Sequence, residues 1–146
     1  MGAIDDVRNK VQRILTQHGR VELDRDGDFV LRQGSAVTFV SVRKGFGEDG
    51  TIVSFRCPLV NKVKLTPEVY KWVATEGQHY KLGGCQVVPS REHQDSGSIW
   101  FSYAIVGDDL DESELMAGTR ATILTSNDLD NQLRDMFGGE LIGSDN

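Results

Sequence analysis

"KGFGEDGTIVSF", residues 44–55, decides between two folds. Its centre, Gly45-Phe46-Gly47-Glu48-Asp49-Gly50, matches G-x-G-x-x-G, the spacing of a turn that cradles a nucleotide phosphate. Such a turn needs a strand before it and a helix directly after it, because the helix N-terminus supplies the amides that hold the phosphate. Here Thr51-Ile52-Val53-Ser54-Phe55 follows, β-branched and alternating with period two. The next element is therefore a strand. Glu48 and Asp49 also place two negative charges where a pyrophosphate would lie. The hexapeptide reads as a hairpin loop whose glycines supply positive φ.

Upstream, Ile4, Val7, Val11, Ile14, Leu15 and His18 recur at helical spacing, and Gly19 closes that helix. Val21 and Leu23 then alternate, Asp26-Gly27 signals a two-residue hairpin, and Phe29 and Leu31 alternate again. After a turn at Gly34-Ser35, the run Val37 to Val42 is apolar on both parities. Val37 and Phe39 face one side; Val40 and Val42 face the other. Downstream of the loop, Val53, Phe55, Cys57 and Leu59 share a face, and Pro58 predicts that strand pairing weakens or ends there.

Thr66-Pro67 reads as N-cap and first helical residue, with Val69, Trp72 and Val73 on the apolar side and an end near Gly77. "CQVV" and "SIWFSYAIV" are two further strands joined by the polar "PSREHQDSG". Asp111 and Glu114 form a capping pair for a last helix. Its stripe is Leu115, Thr119, Thr122, Ser126, Leu129, Leu133 and Phe137, stopped by Gly138-Gly139. The order α-β-β-β-β-α-β-β-α, without repeats or linkers, gives an α+β domain over residues 1–139, one antiparallel sheet with helices packed on it. Residues 140–146 read as a loose C-terminal tail.

Composition narrows the function classes. The chain has 146 residues, 38% of them hydrophobic and 26% charged, an ordinary balance for one globular domain. A net charge of −6 would repel phosphate backbones, so no nucleic-acid partner is expected. No apolar run suits a membrane span, and the acidic start Met1-Gly2-Ala3-Ile4-Asp5-Asp6 is unlike a secretory signal. The expectation is a cytoplasmic protein with Cys57 and Cys85 reduced, although the sequence leaves a disulfide between them open.

Motifs for chemistry are missing. Asp24, Asp26 and Asp28 start like a calcium loop, but Phe29 stands where glycine is required and Ser35 where the bidentate glutamate is required. His18, His79 and His93 lie on separate elements, none with a metal-ligand spacing to another His or Cys. There is no G-x-S-x-G elbow. The pairs Asp108-Asp109 and Asp111-Glu112 are helix-start charges. No catalytic residue, cofactor or metal is expected.

What remains is surface. The strand Val37 to Val42 is apolar on both faces, and so is Ile99 to Val106, with Trp100 and Val106 opposite Ile99, Phe101 and Ile105. Either the sheet is covered on both faces or one face meets another chain. Tyr70 and Trp72, with Tyr80 nearby, are rings of the kind favoured at interfaces.

"GDFVLRQGSAVTFVSV", "VSFRCPLVNKVKLTPEVYKWV" and "LDNQLRDMFGG" together resemble the bacterial family of small chaperone-like proteins related to YbjN and to type III secretion chaperones. The likeness runs over residues 4 to 139, and the order of the pieces is more specific than any one of them. The loops "GFGEDG" and "PSREHQDSGS" are longer than the family pattern, which bears on whether a shared groove is open. The resemblance implies a homodimer that binds an extended polypeptide client without catalysis. On that reading Val40, Val42, Trp100 and Val106 form a client-binding sheet surface, and Tyr70 and Trp72 a dimer interface. A regulatory module that binds a folded partner or only itself is the alternative, and an enzyme with an unrecognised site is the third.

Overall fold

A computed structural model describes residues 2–142. Helix α1 (Ala3–His18) leads into strands β1 (Glu22–Leu23), β2 (Phe29–Gln33), β3 (Ala36–Lys44) and β4 (Thr51–Lys64). Helix α2 (Pro67–Ala74), a short 3-10 turn (Glu76–Gln78), β5 (Gly84–Pro89), β6 (Ser96–Val106) and α3 (Glu112–Phe137) complete the α+β fold. The six strands make one antiparallel sheet in the order β1-β2-β3-β4-β6-β5.

Local chemistry accounts for most boundaries. The Thr66 Oγ1 accepts the Val69 N–H at the start of α2, and an Asp111 Oδ1 accepts the Glu114 N–H at 2.7 Å at the start of α3. The β1–β2 turn is an Asx turn: one Asp24 carboxylate oxygen accepts from the amides of Asp26 and Asp28, each at 2.9 Å. That carboxylate completes a turn, which is how the D-x-D-x-D spacing arises. In the loop after β3 the glycines do different jobs. Gly47 has φ +79°, whereas Gly50 is needed for space, since a Cβ there would lie 1.8 Å from the Phe46 carbonyl oxygen.

Register fixes the two faces. Phe29, Val40, Phe55 and Tyr103 form one cross-strand row, and Cys57, Phe101 and Cys85 form another on the same face. Val11, Ile14 and Leu15 of α1 and Leu115 of α3 pack on the first row. Val69 and Val73 of α2 and Leu129 and Leu133 of α3 pack around the second. All three helices therefore cover the same face. Each of these buried aliphatic side chains contributes about 1.5–3 kcal/mol through removal from water. Among the described residues the opposite face carries no helix.

One expectation is sharpened, one changes and one open alternative closes. Pro58 does not end β4: the strand runs on to Lys64, and the missing N–H is absorbed by register shifts against β6 on either side of Val60. It is instead β3 that leaves, its last partner on β4 being Arg56. The freed edge is taken by Glu140, which exchanges two 2.8 Å backbone hydrogen bonds with Asn61. Residue 140 is thus tied down rather than loose, and Leu141 packs on the core; residues 143–146 lie outside the described residues. Gly139 permits the approach, because a Cβ there would sit 2.5 Å from the Asn61 carbonyl oxygen. Finally, Cys57 and Cys85 flank Phe101 on separate strands, both free and buried. Two strand spacings, roughly 9.5 Å, exceed the reach of a disulfide.

Candidate functional site

A cleft of about 410 Å³ lies between the end of α1, strand β2 and the first half of α3. Its floor is apolar: Leu15, Leu31, Met116 and Ile123. Leu124 stands at the side and is 63% exposed. The walls carry His18, Arg20 and Arg120. His18 Nε2 contacts a Glu112 carboxylate oxygen at 2.7 Å, and Arg32, on the adjoining strand, pairs with Glu22 at 2.8 Å. Arg20 and Arg120 have no ion pair among the described residues.

Backbone borders the same cleft. β1 pairs only with Phe29 and Val30, so the outer edge of β2 from Leu31 to Gln33 has no strand partner among the described residues. The other outer edge, β5, is blunted. Gln78 donates its side-chain amide to the Cys85 carbonyl at 2.8 Å and to the Val73 carbonyl at 3.2 Å, and Pro89 offers no N–H. A backbone edge beside apolar side-chain pockets is the arrangement that accepts an added strand.

The turn that ends this edge is pinned to α3. Asn127 Oδ1 accepts from the Ala36 amide at 3.1 Å and from the Ser35 hydroxyl at 3.2 Å, while Ser35 also donates to Asp130. Sequence reading missed this, because residues 35 and 127 are joined only by the tertiary fold.

The helix-free face is a second surface. Phe39 and Trp100 sit on it half-buried, ring centroids 6.1 Å apart, with the Arg56 guanidinium 4.7 Å above the indole. Trp100 Nε1 and Ser102 Oγ are buried there without a hydrogen-bond partner among the described residues. Val106, 58% exposed, lies at the margin beside Ile52.

The four residues assigned from sequence to one client-binding surface therefore lie on two faces. Trp100 and Val106 are on the open one. Val40 is on the helix side with 0% exposure, and Val42 is half-buried beside it. Val40 therefore offers no surface to another chain, and Val42 offers only part of its side chain. On β3 it is Phe39 that shows on the open face, since Phe39 pairs with Arg56 and Arg56 with Ser102; Val37, on the same side, is buried. On α2, Tyr70 is 48% exposed, and Trp72 packs edge-on against Phe137 at 6.2 Å.

Titratable groups do not converge. Among the described residues no three of His, Cys, Asp and Glu are placed to hold a metal. Burial pushes the Cys85 thiol up to about 12. Burial also raises Cys57, partly offset by the hydroxyls of Ser126 and Thr38. Burial and then Asp24 raise Asp28. A buried thiol held in its neutral form is a poor nucleophile. Among the described residues no helix is long and apolar enough to cross a membrane.

Against this geometry, the family model described as "T3SS (YopN, CesT) and YbjN peptide-binding chaperone 1" matches residues 5–145. The chain belongs to that family. A search of curated proteins finds no match. As a TY-Chap1 member the protein is of a non-catalytic, peptide-binding chaperone kind. The match spans both long loops, "GFGEDG" and "PSREHQDSGS". Neither contributes a residue to the α1–α3 cleft.

Proposed function

We propose that this TY-Chap1 protein holds an extended client segment in the cleft between α1 and α3. The observation that carries the reading is the coincidence, at one place, of an apolar floor and a free strand edge. A client strand laid along Leu31–Gln33 would satisfy its own backbone there and drop alternate side chains onto Leu15, Leu31 and Ile123. Burial of apolar area contributes about 25 cal/mol per Å², less the cost of ordering the segment. The site of action is the cytoplasm, before the client reaches its destination.

The protein works, on this reading, as a homodimer joined through the outer side of α2 at Tyr70, with Trp72 behind it. A competing reading, a regulatory module that binds a folded partner or itself, is favoured by the open sheet face, where Phe39 and Trp100 offer a flat aromatic patch.

Leu124→Asp separates the two. The residue is exposed on α3, so the fold should survive while capture of apolar peptides falls at least tenfold. Fluorescence anisotropy with a peptide array reads the loss, and circular dichroism checks the fold. Unchanged capture in Leu124→Asp, with capture lost in Trp100→Ser, would move the client to the open face. Sedimentation of Tyr70→Asp tests the dimer: an unchanged mass removes α2 as the interface.

A further inference from the structure

We infer that the segment accepted by the α1–α3 cleft is acidic, placing carboxylates against Arg20 and Arg120 on either side of an apolar anchor. This rests on the cleft being the client site. The chain holds 22 acidic residues against 16 basic ones, yet no Asp or Glu lines the cleft. The nearest carboxylates are already engaged, Glu112 with His18 and Glu22 with Arg32. Arg20 and Arg120 remain without an ion pair among the described residues, one after α1 and one on α3.

One opposing effect has to be weighed. α1 ends at His18, so its last carbonyls bring a partial negative charge of about half a unit to the same end of the cleft. Two full guanidinium charges outweigh it. Guanidinium forks also fit carboxylates bidentately, which an ammonium does not. Because both arginines are exposed, each pair should improve affinity only a few-fold, roughly tenfold for the two together. An acidic chaperone would then repel acidic chains at long range and still prefer them at this one site, a preference that depends on contact geometry rather than on net charge.

The test uses three short fluorescein-labelled peptides with the same alternating leucines, spaced by Asp, Asn or Lys. The full-length protein is titrated by anisotropy. The Asp peptide should bind roughly tenfold more tightly than the Asn peptide, with Lys weakest, and the gap should close near 1 M salt, where screening acts within about 3 Å. Arg20→Ser combined with Arg120→Ser should abolish the Asp-over-Asn preference while circular dichroism stays native. Equal binding of Asp and Asn peptides, or a preference that survives the double substitution, overturns charge selection and leaves the cleft as client site. Binding of none of the three removes both readings.

Discussion

Replacing Gly118 by alanine sets two effects of similar size against each other. In an open helix the change stabilises by roughly 1 kcal/mol, because alanine loses less backbone entropy. Gly118 is not in the open. It is the point at which α3 crosses the sheet, and a Cβ there would lie 2.7 Å from Phe55 Cε2 and 2.9 Å from Cζ. Phe55 has 0% exposure, and its ring is stacked on Tyr103 at 6.0 Å and 17°. The ring has no free side to move into, so α3 must lift or the stack must slide. Overpacking of this kind costs about 1–3 kcal/mol. The net expectation is a loss of about 1 kcal/mol, a fall in Tm of ~3 °C for a chain of this size. Urea unfolding should show a lower midpoint with an unchanged slope. Ala117→Gly, one residue earlier and exposed, provides the propensity term alone, again about 1 kcal/mol. A Gly118→Ala protein as stable as the parent, or more so, would refute the contact argument. Since Arg120 and Ile123 ride on the same helix, a lifted α3 should also weaken peptide capture.

Two other outcomes follow from burial. The Cys85 thiol titrates near 12 when folded and at 9.0 by its ordinary value; the unfolded chain therefore releases its proton first. Stability is whole below about pH 9 and falls as pH rises toward 12, by at most ~1.4 kcal/mol per pH unit from this group. Cys57 acts in the same direction. Cys85→Val should flatten the decline in urea midpoint between about pH 8 and pH 10.5, and an unaltered slope would show that desolvation of this thiol is not its cause. Val40→Asp should prevent folding, because an unpaired carboxylate would be buried beneath α1. Phe39→Asp, one residue earlier on the open face, should leave a native circular dichroism spectrum; the reverse pattern would invert the assignment of faces.

Much of the fold was legible because its signals are local. Capping at Thr66 and Asp111, glycine stops, period-two runs and the stripe from Leu115 to Leu133 are written within a few residues of where they act. So was the rejection of a phosphate turn, which needed only the β-branched residues after Gly50. At Pro58 the local rule caught the weakened pairing, since β3 leaves and the β6 register slips there, but not the bulge that lets β4 run on to Lys64.

Alternation by itself determined that Val37 and Phe39 oppose Val40 and Val42, and that Trp100 and Val106 oppose Phe101. It could not determine which set looks outward, since a strand apolar on both parities carries no preference in its own residues. Only tertiary packing decided that: α1, α2 and α3 all settled on the side of Val40, Phe55 and Phe101, leaving Phe39 and Trp100 uncovered. The cleft is likewise a product of the assembled fold. Its residues come from 15–20, 31–33 and 116–124, three stretches whose apolar and basic side chains acquire a common purpose only where two helices part over one strand edge.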